Sequence, residues 1–352
     1  MNCFFHSNWK RQAMVCILLH SLPFIFWSDA AESQSVFLTK GDIKSAKVYK
    51  SKTENYTEKL PYPELFRMIA RLENEQSITI NPVNFPLIAI YFDTHKAPGL
   101  FIKTNLLKTL IKFLEIRGFA KEEILLVTYQ LEYTTIQNIQ NDLPGYQVVT
   151  SRSEKYFHPD WFHDSPIPPA MGDRAELIIK YPKNLPKRRS LERKSSLPSC
   201  LFLSNAYWIN LATVTEDYYL GIDGSTTSVT LNASSNTERF RKDSILGPAT
   251  ATEILAIPEF LEKQLFSVLD LSEIQIAGGP AFNAEFIRQT PYLLLSKNSV
   301  FLDFHAMKII CEERKITGLE ERSVKDCKMF LFAEELGFGK PINSEVVYLS
   351  PR

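Results

Sequence analysis

The sequence predicts an α/β fold, in which a mainly parallel sheet is flanked by helices in a single large domain. Residues 85–92 form a continuous apolar run, which is typical of a strand buried on both faces. Residues 103–119 place leucines and isoleucines along one helical stripe, which Thr104 can cap and Gly118 can end. A second apolar run follows at residues 123–129. A strand, a helix and a strand in this order predict a parallel βαβ unit.

The rest of the chain alternates between short apolar runs and amphipathic stretches in the same way. Further strands are predicted at residues 146–150, 176–181, 200–204, 266–271, 273–277 and 292–296. Further helices are predicted at residues 63–73, 250–265 with a break at Pro258, 299–315 and 323–337 with an end at Gly337. Residues 183–196 carry clustered Lys and Arg, so we expect an exposed basic loop there, although such a cluster can also bind an anion.

Composition and charge exclude some classes of protein. Of the 352 residues, 45% are hydrophobic and 23% are charged, which allows a substantial core and argues against global disorder. Lys and Arg together number 40, and Asp and Glu together also number 40. This balance argues against a nucleic-acid partner, because nucleic-acid binding needs a net basic face.

The first 31 residues differ in character from the remainder. Lys10 and Arg11 precede the apolar run at residues 13–27, and small residues follow it. This order predicts a secretory signal peptide over residues 1–31, with cleavage near Ala30. An N-terminal membrane anchor is the alternative, but the run is shorter than the ~20 residues needed to span a bilayer.

The predicted signal peptide implies that the remainder of the chain is exported as a mature domain. We expect export to the periplasm or the medium, with residues 32–352 forming the α/β domain. The mature chain contains no later run that is apolar and long enough to cross a membrane.

The mature chain has three cysteines, Cys200, Cys311 and Cys327. One disulfide with a remaining thiol and three buried thiols are both compatible with this odd number. No C-x-x-C motif is present, so the sequence gives no support for a sulfur-ligated zinc or iron–sulfur site.

Gly278, Gly279 and Pro280 follow the predicted strand at residues 273–277. They lack the third glycine of a dinucleotide fingerprint and the Lys-Ser/Thr of a phosphate-binding loop. Pro280 also removes a backbone donor that an anion would need. A plain turn and a ligand-binding corner both remain possible interpretations.

A cluster of His158, Asp160 and His163 has side chains that can ligate a divalent metal. The two histidines are five positions apart, which is not a same-face helical spacing, so an aromatic-rich surface loop is the alternative. Asp303 and His305 lie about 200° apart around a predicted helix and cannot form a catalytic pair alone. No nucleophile elbow or H-E-x-x-H motif is present.

Four blocks, at residues 85–129, 204–231, 273–286 and 292–310, resemble in order and spacing the domain of unknown function 362 family, particularly its exported bacterial members. The first resembles the opening strand–helix–strand unit of the family. The third resembles its Gly-Pro turn, and the fourth resembles its helix with an early Asp, matched here by Asp303. The resemblance implies an α/β fold with a ligand cleft at the ends of its parallel strands.

The chain departs from the family at polar positions. Relatives show Lys-x-Asn after the first strand, where this chain has Tyr91-Phe92-Asp93, and a Lys-x-His loop, where it has Glu216-Asp217-Tyr218. The Lys-Asn pair after the glycine turn becomes Thr227-Ser228. Replacing Lys by an acidic residue turns attraction for an anion into repulsion. The ferredoxin-type cysteine clusters of some relatives are also missing.

These departures predict a divergent, exported family member that has lost an anion or cofactor site but keeps a small-ligand cleft. The residues expected to line the cleft are Asp93, His95, Asp217, Gly279, Asn283 and Asp303. A metal-dependent enzyme with a carboxylate-rich cleft is one alternative, because Asp and Glu suit a hard cation. An extracytoplasmic redox-associated protein is the other. No cofactor is predicted, and a divalent metal belongs to the first alternative.

Overall fold

The computed structural model describes residues 43–53, 62–130, 139–203 and 205–349. All of these residues belong to one compact unit. The predicted signal peptide at residues 1–31 lies outside the described residues. The strands are β1 (Val48–Lys52), β2 (Leu87–Phe92), β3 (Ile124–Val127), β4 (Gln147–Val149), β5 (Phe162–Asp164), β6 (Lys194–Ser196), β7 (Ala206–Asp217), β8 (Gly221–Asp223), β9 (Gln264–Gln275), β10 (Ile287–Arg288), β11 (Tyr292–Ser296) and β12 (Val346–Leu349).

The main sheet has the strand order β12-β1-β11-β9-β7-β2-β3-β4. The run from β9 through β7, β2 and β3 to β4 is parallel throughout, whereas β11 pairs antiparallel with both of its neighbours. The short strands β8 and β10 add antiparallel partners to β7 and β9, and β5 and β6 form a separate pair. The predicted α/β class with a mainly parallel sheet is therefore confirmed.

Helices cover both faces of this sheet. They are α1 (Pro63–Gln76), α2 (Thr104–Ile116), α3 (Met171–Lys180), α4 (Leu185–Glu192), α5 (Ser225–Val229), α6 (Glu238–Arg241), α7 (Leu246–Leu255), α8 (Pro258–Glu262), α9 (Ser299–Ile316) and α10 (Lys328–Glu335). Short 3-10 turns occur at Lys121–Glu123, Ser199–Leu201, Ala284–Phe286, Val324–Asp326 and Pro341–Asn343.

The side chains of β2 show why its sequence is continuously apolar. Ala89 and Tyr91 lie in a core on one face of the sheet, together with side chains of α7, α9 and α10. Ile88, Ile90 and Phe92 lie in a second core on the other face, together with α1 and α2. A strand with both faces covered has no solvent-facing position, which explains the absence of polar alternation.

Several predicted boundaries hold with small changes. The first predicted helix is α1, and the break at Pro258 separates α7 from α8. Thr104 is the first residue of α2 and not its cap, while Gly118 follows the helix with a φ of 97°. The two strands predicted at residues 266–271 and 273–277 are one strand, β9.

Three predictions between residues 176 and 204 are wrong. Residues 176–181, predicted as a strand, form the end of α3 and its cap, and the expected basic loop at 183–196 forms α4 and β6. Residues 200–204, also predicted as a strand, begin in a 3-10 turn. Neither α3 nor α4 buries a residue completely, so no apolar stripe identified them as helices. A cap was nevertheless present, since the Asn184 side chain accepts a hydrogen bond from Lys187 N at 3.1 Å.

Within the described ranges, no helix has both the length and the apolar character that crossing a bilayer requires.

The turn after β9 packs against the end of β7. Gly278 has a φ of 78°, which favours glycine. A Cβ atom added to Gly279 would overlap the backbone carbonyl oxygen of Glu216. Glycine at this position therefore permits a close approach of two backbones, and this explains the Gly-Gly sequence without a bound phosphate.

We expect Gly279→Ala to destabilise the protein by about 1–3 kcal/mol or more, because backbone atoms cannot move aside as a flexible side chain can. The matched control is Gly172→Ala, where an added Cβ meets nothing within 4 Å. Because Gly172 lies in α3, this change should leave stability unchanged or raise it by up to about 1 kcal/mol. Chemical unfolding of both variants measures the difference, and equal stabilities would contradict the packing argument.

Candidate functional site

A cleft of about 890 Å³ opens at the carboxyl edge of the parallel strands. Thr94, Gln130 and Thr150 lie in one wall and follow β2, β3 and β4 respectively. Residues of α3 and α4, including Lys180 and Leu191, also line the cleft. Open parallel sheets commonly bind ligands at this edge, so the cleft is the leading candidate site.

Buried charges lie next to the floor of the cleft. The carboxylate of Asp223 accepts a hydrogen bond from Lys96 Nζ at 2.6 Å and lies 3.4 Å from Arg241 Nη1. The exposed fractions of the three side chains are 4% for Lys96, 1% for Asp223 and 2% for Arg241. Thr227 Oγ1 donates a further hydrogen bond of 2.6 Å to Asp223. Lys96 and Arg241 thus share the carboxylate of Asp223, and Arg241 Nε also lies 3.2 Å from Glu238.

Asn232 connects this ion cluster with Asp93. Its Nδ2 atom donates to Asp93 Oδ2 at 2.6 Å and to Asp223 Oδ1 at 3.1 Å. The other oxygen of Asp93 accepts a hydrogen bond from the backbone of His95 at 2.8 Å. Asn232 and His95 both line the cleft, whereas Lys96, Asp223 and Arg241 are not among the residues that line it.

The pKa values of the two carboxyl groups shift in opposite directions. Burial alone would raise the pKa of Asp223, but the positive charges of Lys96 and Arg241 bring it well below its usual range. Burial raises the pKa of Asp93, and the negative charge of Asp223 adds to this, although Lys96 opposes it. The cluster therefore concentrates its negative charge on Asp223.

His95 is exposed to the cleft. Its enclosed surroundings, together with the positive charges of Arg241 and Lys96, lower the pKa of its imidazole to about 3. The ring is consequently neutral at physiological pH, and it can donate one hydrogen bond and accept another.

Asp303 occupies the amino terminus of α5. Its two carboxylate oxygens accept hydrogen bonds from the backbone of Ser225 at 2.6 Å and of Thr226 at 2.8 Å. Burial raises the pKa of Asp303 to about 7, against the opposing effect of the hydrogen bonds from Thr226 and Ser225. Because the group is fully buried, its carboxylate replaces any external anion at these two donors.

The six residues predicted to share a cleft are only partly brought together. Asp217 is buried near the ion cluster, and its Oδ1 atom accepts from the backbones of Tyr219 and Leu220 at 2.8 and 2.9 Å. Asn283 begins the short turn Ala284–Phe286 and donates its backbone N–H to Gln275. Gly279 packs on β7, and neither it nor Asn283 is part of the described cleft wall. His95 therefore lines the cleft, with Asp93, Asp217 and Asp303 buried nearby.

His158, Asp160 and His163 do not come together as the predicted metal ligands. His158 lies 3.9 Å from Asp160 on the surface, whereas His163 Nε2 lies 3.4 Å from Glu253 and its ring packs edge-on against Phe240. Across the described residues, no group of three or more His, Cys, Asp and Glu side chains is arranged to hold a metal ion. The segment is also not wholly a surface loop, because Tyr156 is buried in the core and Phe162–Asp164 form β5.

Within the described residues, no disulfide joins Cys200, Cys311 and Cys327 to one another. Burial raises the pKa of Cys200 and of Cys327 to about 12, so neither is a thiolate at neutral pH. Cys327 Sγ also donates to the carbonyl of Leu220 at 3.3 Å. Of the three side chains, only Cys327 is buried, whereas Cys200 and Cys311 are partly exposed, so the arrangement with three buried thiols is matched by Cys327 alone.

Sequence reasoning missed Lys96, Arg241 and Asn232. Lys96 follows β2 in a polar stretch, and Arg241 ends a short helix that contains other charged residues, so each resembles a surface residue. A usable indication was the position of Lys96 three residues after Asp93 at the end of a buried parallel strand. Nothing local in the sequence pairs either cation with Asp223.

Comparison with known proteins gives little further information. The sequence matches no family model and no curated protein. A structural-genomics crystal structure of a Thermotoga maritima protein is similar with a TM-score of 0.40 and 13% identity, covering 80% of this chain and 60% of that chain. This chain thus spans about 60% of the length of that protein. The resemblance to the domain of unknown function 362 family stays a prediction.

We expect Asp303 to make stability fall as the pH rises. Its pKa is about 7 in the folded protein and ~3.9 in an unfolded chain, so the folded state holds an extra proton between these values. The free energy of unfolding should therefore decrease through this window by on the order of 4 kcal/mol and then level off. Asp303→Asn should remove this slope in denaturant titrations between pH 4 and 8.

The matched control for this measurement is Asp160→Asn, because the Asp160 side chain is 87% exposed. Its pH profile should run parallel to that of the unsubstituted protein. A parallel profile for Asp303→Asn as well would show that Asp303 is not the group responsible.

Proposed function

We propose that this chain is an exported α/β protein that binds a small uncharged molecule in the cleft, and that a former anion or cofactor site beside the cleft is neutralised by the protein's own carboxylates. The observation that carries this proposal is the pairing of both Lys96 and Arg241 with Asp223. The loss of such a site is what we expect of a divergent member of the domain of unknown function 362 family.

The groups that usually hold an anion are occupied internally. Cationic side chains and the N–H groups at a helix start are the common anion-binding elements of α/β proteins. Here Asp223 takes the two cations, and Asp303 takes the N–H groups of Ser225 and Thr226. An incoming anion would meet a carboxylate of the protein at either place, which favours an uncharged ligand.

The proposal is tested directly by removing the Asp223 carboxylate, which should allow Lys96 and Arg241 to bind an anion. We expect Asp223→Asn to destabilise the protein by roughly 3–5 kcal/mol, because it removes the carboxylate paired with buried Lys96 and leaves buried Arg241 with the half-exposed Glu238, 3.2 Å away, as its ion-pair partner. Sulfate should then raise the melting temperature of the variant more than that of the unsubstituted protein, since it binds and compensates the freed cations. Thermal unfolding in sulfate and in chloride at matched ionic strength measures this effect.

The control variant is Asp164→Asn, whose carboxylate forms an exposed ion pair with Arg193 at 2.7 Å. Its loss should change stability by less than about 1 kcal/mol and should leave the sulfate response unchanged. Equal sulfate responses of the Asp223 variant and the unsubstituted protein would contradict the proposed anion site.

Export is tested independently of ligand binding. We expect the secreted or periplasmic protein to begin near Ala30 or Ala31, because small residues there follow the apolar run. Intact-mass measurement of the protein from the native host gives its first residue. A mass that retains residues 1–29 would contradict the cleavage and favour an anchor.

A further inference from the structure

We propose that the surface formed by α3 and α4 binds reversibly to a bilayer that contains anionic lipid, with apolar side chains of α3 in the headgroup region and basic side chains beside the lipid phosphates. We call the exposed side chains of residues 171–194 the α3–α4 surface. Two observations carry the inference, namely large apolar side chains that face solvent and cations that lack an internal counter-charge. The inference concerns this surface and not the ligand of the cleft, so it stands apart from the proposed function.

Three large apolar side chains of α3 face solvent. Met171 is 88% exposed, Ile179 is 79% exposed and Ile178 is 45% exposed. Because an α-helix turns by about 100° per residue, these three positions lie on one side of the helix. Adjacent exposed apolar side chains that are rimmed by polar ones mark sites of interaction with a protein or a membrane.

The side of α3 that faces the rest of the protein is the more polar one. The residues of α3 that line the cleft are Asp173, Glu176, Leu177 and Lys180. Their spacing places them opposite the exposed apolar side chains. A surface helix usually has the reverse arrangement, with its apolar side against the core. Packing within the described chain therefore does not account for the apolar side of α3, and the acidic residues of this helix lie away from it.

Basic residues predominate in the second part of the α3–α4 surface. Residues 177–194 contain seven Lys and Arg and one Glu, which is a net charge of +6. The whole chain has 40 basic and 40 acidic residues, so its remainder has a net charge of −6. The chain is therefore neutral as a whole but carries a local basic region.

Most of these cations are available to an external anion. Arg188 lies 3.9 Å from Glu192, and Arg193 lies 2.7 Å from Asp164. Among the described residues, no ion pair involves the other exposed cations of the surface, which are Arg174, Lys180, Lys183, Lys187 and Arg189. A partner that contacts this surface must therefore supply negative charge.

An anionic bilayer is the partner that uses both features. A soluble anion would contact the cations and leave Met171, Ile178 and Ile179 in water. An apolar groove on another protein would cover these side chains and leave the cations without a counter-charge. A membrane presents phosphates above an apolar interior, and amphipathic helices with Lys and Arg bind in the plane of this interface.

The test is amide hydrogen–deuterium exchange of the full-length protein, followed by mass spectrometry of peptides from residues 171–194. Vesicles of equal parts phosphatidylglycerol and phosphatidylcholine should slow exchange in these peptides, because docking protects surface helices against local opening. Vesicles of phosphatidylcholine alone should not. Raising the ionic strength from about 0.1 M to about 1 M should weaken the protection, because the screening length falls from about 10 Å to about 3 Å. The readout is confined to these peptides because the apolar run at residues 13–27 can attach the full chain to lipid by itself.

Substitutions separate the two parts of the surface. Lys183→Gln combined with Lys187→Gln should lower the docking constant, obtained from the exchange rates with and without vesicles, by roughly 10- to 30-fold, since each cation contributes a factor of about five. Ile179→Asn should lower the same constant by roughly three- to tenfold, because it removes an apolar side chain from the lipid. None of these three residues lines the cleft.

The matched controls carry the same changes at other exposed positions. Ile316→Asn replaces an isoleucine that is 75% exposed at the end of α9. Lys315→Gln combined with Lys325→Gln replaces two exposed lysines. Both controls should leave the docking constant unchanged. All of the substituted side chains are exposed, so every variant should keep the melting temperature of the unsubstituted protein.

Several results would each overturn membrane binding. Equal protection by phosphatidylcholine alone, or an unchanged docking constant in the Lys183/Lys187 and Ile179 variants, would contradict it directly. Protection by soluble polyglutamate as strong as that by vesicles would indicate an acidic protein partner instead. Protection that grows with protein concentration in the absence of lipid would indicate a second copy of this chain.

Discussion

The carboxylate of Asp223 holds together the part of the molecule from which the candidate site is built. It contacts Lys96 from the loop after β2, Arg241 from the end of α6, and Asn232 from the segment between α5 and α6. Lys96 is 127 positions away in sequence. Removing one partner of a buried ion group leaves a charge without compensation, which typically costs 3–5 kcal/mol. The ion cluster thus adds a charged contact between segments that also contribute to the apolar core, through residues such as Ile222, Leu231 and Phe240.

The topology of the sheet explains why these groups meet. The parallel strands β2 and β7 are neighbours, so the loop after β2 and the hairpin from β7 to β8 emerge at the same edge. Crowding several carboxyl groups there would be unfavourable if all were ionised. Asp223 lies between two cations, which lower its pKa. Burial instead raises the pKa of Asp93 and of Asp303, so these groups carry less negative charge.

The sequence predicts the fold well where side chains are buried on a regular period. The β2–α2–β3 unit was predictable because a strand with two covered faces and a helix with one apolar stripe leave distinct patterns. The surface helices α3 and α4 leave no such pattern, because Ile178 and Ile179 are exposed and half of the residues of α4 are charged. Short apolar runs of this kind fit a strand equally well, and tertiary placement decides between them.

The candidate site was predictable in position but not in chemistry. Asp93 and His95 follow a buried parallel strand, which is where ligands of such sheets bind, and His95 does line the cleft. The sequence comparison suggested a loss of positive charge, yet Lys96 and Arg241 supply two cations from positions that the comparison did not involve. Gly279 and Asn283 were included because their turn resembled a family turn, but a close backbone contact with Glu216 explains that glycine.

The buried ion cluster also fixes the orientation of a neutral side chain. Asp93 and Asp223 both accept from Nδ2 of Asn232, so the amide cannot rotate to exchange its donor and acceptor. An asparagine on the surface rotates and accepts or donates as its partner requires. Behind the cleft, the carboxylates fix the amide as an acceptor, and two backbone carbonyls do the same for Asn236. The buried charges therefore decide which terminal atom of the Asn232 amide is left without a partner among the described residues.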